Sequence, residues 1–113
     1  MIKIVEGLDE RILGTMGIVT PDSKAIMCNN ILVGIIDYRI TQECIKIMYI
    51  NICDEHRRQG IARKVIEMLK EQNKGKYMYG DALPGTAVRF WESLGAEFDE
   101  DEDDYLTPFH IEC

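Results

Sequence analysis

The feature that most constrains the fold is an uninterrupted passage from strand to helix. Ile50-Asn51-Ile52-Cys53 is mostly apolar, Asp54 to Gln59 is polar, Gly60 follows, and Ile61-Ala62 opens a pattern of helical period. A strand that enters a helix through such a turn presents the N–H groups of the first helical turn. The helix macrodipole places partial positive charge at the same point. A helix start of this kind is an anion site. Gly60 has no side chain, so a phosphate can approach the main chain closely. Arg57 and Arg58 add charge-assisted donors. The turn therefore predicts a bound phosphate or pyrophosphate.

The chain on either side extends this into a fold. Ile2 to Val5 is a short strand, and Gly17 to Thr20 is another, ended by Pro21-Asp22. Ala25 to Cys28 and Ile31 to Ile40 flank Asn29-Asn30, which predicts a β-hairpin. Cys44 to Cys53 is a long apolar strand suited to the middle of a sheet. After Gly60, Ile61, Val65, Met68 and Leu69 fall on one helical face, and Gly75 is the stop. Lys76 to Gly80 is a strand with Tyr77 and Tyr79 on one side. Pro84-Gly85-Thr86 opens a second helix, with Ala87, Phe90, Trp91 and Leu94 on one face and Gly95 closing it. Ala96–Asp99 and Tyr105–Ile111 form a terminal hairpin. The fold class is α+β with a mixed sheet, one crossover having the length of a right-handed parallel connection.

Composition narrows the partners. The 113 residues suffice for one domain, 1–113, with one core. The net charge of -7 argues against a nucleic-acid surface or an anionic membrane. No stretch approaches the roughly 20 apolar residues of a membrane span. Met-Ile-Lys-Ile-Val begins no signal sequence, which favours a cytoplasmic chain with Cys28, Cys44, Cys53 and Cys113 as thiols. Their spacing suggests no metal site. Seven acids stand among the eight residues 97–104. They are either a solvated hairpin tip or a draw for a cationic partner.

Two motifs then carry a resemblance. Arg57-Arg58-Gln59-Gly60-Ile61-Ala62 is similar to the Gln/Arg-x-x-Gly-x-Gly/Ala signature of the GCN5-related N-acetyltransferase (GNAT) family, after a long strand and at a helix start. Ala87-Val88-Arg89-Phe90-Trp91-Glu92-Ser93-Leu94-Gly95-Ala96 resembles that family's second helix. The resemblance runs from about Ala25 to the C-terminus and implies acetyl-CoA as co-substrate. The pyrophosphate would lie on the N–H groups of Arg58, Gln59, Gly60, Ile61, Ala62 and Arg63. The pantetheine arm would pair with Ile50, Asn51 and Ile52, and Phe90 would flank it. A main-chain N–H near Ile50 or Ile52 would polarise the thioester carbonyl. The implied reaction is direct transfer of the acetyl group to an amine acceptor in a ternary complex.

The resemblance also has gaps. Trp91 stands where the family often has a tyrosine acid, and an indole N–H is no acid at neutral pH. Lys46 stands near the position of a frequent glutamate base, and Pro84 where an asparagine is common. Tyr79 and Tyr105 are substitute acids; Glu43 and Asp37 are substitute bases. The 22 residues before Ser23 leave no room for both helices that the family places there. The acceptor side would then be open or completed by a second copy in a homodimer. The missing groups also admit an alternative, an acyl-CoA-binding or regulatory module without turnover.

Overall fold

A computed structural model describes residues 2–6, 23–57, 59–82, 86–98 and 107–113. Arg58, Pro84-Gly85, Tyr105, the strand expected at Gly17–Thr20 and the acidic run from 99 onward lie outside the described residues. The chain divides into two compact units, Met1–Tyr38 with Met48–Leu69, and Arg39–Ile47 with Lys70–Cys113. Among the described residues no helix is long and apolar enough to cross a membrane.

The first unit is built on antiparallel pairing. Strand β1 (Ile2–Val5) pairs with β2 (Lys24–Cys28), which pairs with β3 (Ile31–Ile40). The link from β2 to β3 is Asn29-Asn30, with φ of 52° and 67°. Two left-handed residues make the tight turn whose twist matches a hairpin, and asparagine tolerates that conformation. The register shifts between Ile26 and Met27, where Ile26 faces Gly34 and Met27 faces Leu32. Val33 is the additional residue of a bulge. Its carbonyl accepts from Cys53 N at 2.8 Å, which ties β3 to the end of β4 (Cys44–Ile52). Next to the bulge, a Cβ on Gly34 would collide with the Asn51 carbonyl and lie 2.9 Å from Ile52 Cδ1. Only glycine permits that approach. Ala25 and Ile35 are fully buried, with Val5, Met27, Leu32 and Tyr49 packed around them.

Helix α1 (Ile61–Gln72) buries Ile61, Val65, Ile66 and Leu69. Each such side chain contributes about 1.5–3 kcal/mol when fully buried. The sequence pattern placed Met68 in this stripe and omitted Ile66. The structure reverses the two: Met68 is half-buried and Ile66 fully buried. Ile61, Val65 and Leu69 step round the helix by about 40° each, at about 100° per residue. Ile66 broadens the stripe on one side, while Met68 lies at its opposite margin.

The second unit holds the parallel element. β5 (Tyr77–Ala82) runs parallel to β4 from Cys44↔Tyr77 to Ile47↔Gly80. Gly75, at φ 90°, turns the chain into it. A Cβ on Gly80 would stand 2.8 Å from the Ile47 carbonyl and 3.0 Å from the Phe109 ring, so this rung also requires glycine. β7 (Thr107–Glu112) pairs antiparallel with β5 over six positions, and with β6 (Glu97–Phe98) over two. The hydrogen-bonded order of the mixed sheet is β1-β2-β3-β4-β5-β7-β6. Helix α2 (Thr86–Ser93) ends in a Schellman motif. Ala96 N donates to the Trp91 carbonyl, Gly95 N donates to Glu92, and Gly95 takes φ 88°. Trp91, 4% exposed, stacks on Phe109 with centroids 4.0 Å apart at 20°. Its place is the core.

Candidate functional site

The turn between β4 and α1 contains a single 3-10 turn, Asp54–His56, and then Gly60 at φ 73°. The first intrahelical bond of α1 runs from Lys64 N to the Gly60 carbonyl, 3.1 Å, so Gly60 is the N-cap. The N–H groups of Ile61, Ala62 and Arg63 therefore precede the helical ladder. A Cβ on Gly60 would meet nothing within 4 Å. Glycine is needed here for its backbone conformation, and the space beside it is open. The first turn carries no acid. It carries Arg63 and Lys64, both exposed. Cations at a helix N-terminus oppose the macrodipole unless an anion sits between them.

Arg57 does something the sequence did not suggest. Its Nε donates to the Ile52 carbonyl at 2.9 Å and its Nη2 to Asn51 Oδ1 at 3.0 Å. The guanidinium folds back onto the strand that precedes it. It braces the end of β4, which holds Ile50, Asn51 and Ile52 at the start of the turn. Gln59 is exposed beside Gly60, and Ile61 is buried.

The remaining singled-out residues belong to the second unit or to the interior. Phe90 is half-buried on α2 and meets Trp91 edge-on at 5.1 Å. Glu43 is exposed in the β3–β4 turn, its carbonyl accepting from Tyr77 N at 3.3 Å. Asp37 is buried within β3. Tyr79 lies on an accessible face of the sheet, its ring 5.8 Å from that of Tyr77.

That face forms a groove of about 400 Å³ lined by Lys46, Tyr77, Tyr79, Asp81, Pro108 and His110. Strand alternation explains the set. Lys46 pairs with Tyr79, Tyr79 with His110, and His110 with Glu97, so one row crosses four strands. His110 Nε2 stands 3.3 Å from Glu97 Oε2. Lys46 Nζ lies 5.9 Å from the centroid of the Tyr79 ring. The Tyr77 hydroxyl is pushed above its ordinary value by charge on Cys44 first, then by a hydrogen bond to Cys44, with Tyr79 and Glu43 adding to it. It remains a proton donor at neutral pH. Asp81 and His110 were not singled out from the sequence. The signal was the alternation of Tyr77, Tyr79 and Asp81 against Pro108, His110 and Glu112.

No family model matches the chain, and no curated protein matches it. Solved structures do. Naa50 of Arabidopsis thaliana, in complex with the bisubstrate analogue CoA-Ac-MVNAL, matches with a TM-score of 0.73 at 15% identity, over 99% of each chain. An acetyltransferase from Thermus thermophilus matches at 0.70 and 20% identity, over 89% of this chain and 70% of its own. The ribosomal-protein-S18-alanine N-acetyltransferase of Escherichia coli matches at 0.62 and 13%, over 91% and 74%. The chain has the GNAT fold. In the GNAT frame, the glycine turn between a long strand and α1 is the element that both the residues and the resemblance singled out.

Proposed function

We infer that this chain is an N-acetyltransferase of the GNAT family, one 1–113 domain acting in the cytoplasm, with acetyl-CoA as donor and a primary amine as acceptor. The observation that carries the reading is the start of α1. A left-handed Gly60 with open space beside it leads into a first turn bearing Arg63 and Lys64 and no acid. The pyrophosphate lies on the N–H groups from Arg58 to Arg63, of which Ile61, Ala62 and Arg63 precede the helical ladder. The pantetheine amides pair with the main chain of Ile50, Asn51 and Ile52, and an N–H there stabilises the developing oxyanion. Arg57 acts on this site through the strand end it braces.

In the transfer, the free amine attacks the thioester carbonyl, and the proton lost from its nitrogen passes to solvent, from which the departing thiolate is protonated. The N–C bond forms, the C–S bond breaks, and coenzyme A departs with the electron pair. A thiolate is a weak base, so it leaves without an obligatory acid. This suits a chain in which Trp91 is buried against Phe109 where a tyrosine acid would stand. The same tryptophan favours the second reading, a module that binds acyl-CoA without turnover.

Thermal stabilisation by acetyl-CoA, then release of free thiol across a panel of amines, separates the readings. Stabilisation with thiol release supports the enzyme. Stabilisation without release on any amine leaves the binding module, and no stabilisation overturns both.

A further inference from the structure

The sheet face that carries the groove belongs wholly to the second unit and is open to solvent. Tyr77 is 47% exposed, and Asp81, Glu97 and Glu112 are exposed around it. The face is four strands wide, in the order β4-β5-β7-β6. Its central row runs Lys46, Tyr79, His110, Glu97. An ammonium thus stands on one flank and a carboxylate on the other, with two flat rings between them. The row on one side of it holds Cys44, Tyr77 and Glu112, and the row on the other side holds Asp81 and Pro108. Four strands have their midline between β5 and β7. A half-turn about that line, with a second copy laid face to face, exchanges β4 with β6 and β5 with β7. Lys46 then faces Glu97 of the second copy, Tyr79 faces its His110, Tyr77 its Glu112, and Asp81 its Pro108. Each pairing occurs twice, and no two charges of one sign are opposed.

We propose that two copies of the chain meet on this face, sheet on sheet, about a two-fold axis along the line between β5 and β7. A two-fold contact needs a patch that is complementary to itself, and the opposite charges of the two flanks supply it. Stacked sheets lie about 10 Å apart, a gap that a lysine and a glutamate extended toward each other can close. Tyr77 and Tyr79 bring the aromatic surface in which interfaces are enriched. Four strands about 4.8 Å apart, and about six residues long at about 3.3 Å each, span roughly 400 Å² a side. That lies at the low end of specific interfaces and fits a dimer that dissociates on dilution. The homodimer that the sequence admits thereby takes a definite face. The contact stands apart from the acetyltransferase reading and does not depend on it.

Sedimentation equilibrium of the whole chain, from about 10 μM to about 1 mM, tests this. A monomer–dimer equilibrium with a Kd of about 100 μM is expected. Lys46→Glu and Glu97→Lys should each weaken the dimer at least tenfold, because each sets two like pairs against one another. An equal mixture of the two variants should associate again. In the mixed dimer one pair is native, and the other is the same pair with its charges reversed. Circular dichroism confirms that both variants fold; the Glu97 side chain is 81% exposed. Recovery in the mixture cannot come from a repaired fold, since neither variant is altered by mixing. A chain that stays monomeric up to 1 mM, a dimer that neither variant weakens, or a mixture that associates no better than its components overturns the proposal.

Discussion

The two compact units carry their candidate sites in different materials. In the first, the site is main chain: a glycine in the left-handed region, three N–H groups ahead of the helical ladder, and a strand end held by Arg57. In the second, it is side chain: Lys46, Tyr79, His110 and Glu97 brought into one row by the pairing of four strands. β4 supplies both, with Cys44–Ile47 in one unit and the remainder in the other. A main-chain site is set by a dozen consecutive residues and tolerates many side chains. A side-chain site is set by register and fails residue by residue.

That contrast has measurable consequences. Trp91→Ala should be the most damaging change, costing about 3–5 kcal/mol in urea unfolding, because a buried stacked indole leaves a cavity. The variant should still be stabilised by acetyl-CoA at temperatures where it is folded. Loss of that stabilisation would break the division of roles. Gly60→Glu should act the other way. In the acetyltransferase reading its charge would meet the pyrophosphate, so affinity for acetyl-CoA should fall by about two orders of magnitude, about 2.7 kcal/mol. Undiminished affinity in a folded Gly60→Glu protein would remove the phosphate site. Arg57→Ala, which deletes two hydrogen bonds at the end of β4, should cost about 1 kcal/mol of stability. It should also raise KM for acetyl-CoA more than it lowers kcat. Arg57→Lys should recover only part of this, since an ammonium lacks the planar fork that reaches both Ile52 and Asn51.

The smallest effect is expected at high pH. Burial pushes the Cys113 thiol above its ordinary value of 9.0, with Lys70 and Lys76 opposing. Burial, then Glu6, pushes Tyr38 above 10.0. In each case the folded state keeps a proton that the unfolded state has lost. The stability is therefore complete below the unfolded value and is lost as pH rises toward the folded one. Stability should decline from about pH 9. Cys113→Ser should delay that onset, and Tyr38→Phe should flatten the part above 10. A profile unchanged by either substitution would rule out both thiol and phenol as its source.

Much of the fold was legible because its signals are local. Asn29-Asn30 announces its hairpin, and Gly95 its Schellman turn. The period of Ile61, Val65 and Leu69 announces α1. The glycine-led start of α1 at Gly60 was legible for the same reason. What escaped was whatever depends on register. The bulge at Val33 inserts one residue into a run with no mark to distinguish it. The groove joins residues that the chain separates widely. Lys46 looked only like a departure from a family position, and His110 like an ordinary strand residue. Arg57 was read as a phosphate ligand from its type and place. Its brace on Ile52 and Asn51 depends on how the turn folds back, which a residue pattern does not encode.

The Asn29-Asn30 turn also bears on the order in which the molecule assembles. A two-residue loop costs little closure entropy, and hairpins of this kind form in about 1–10 μs. The parallel ladder joins Cys44 to Tyr77, 33 residues apart, and must wait for the intervening helix to bring its ends together. Folding should therefore nucleate on β2–β3. Substitutions at Asn29 and Asn30 should slow refolding, while Gly80→Ala should chiefly hasten unfolding. A chevron series showing the opposite partition would place the nucleus at the crossover instead.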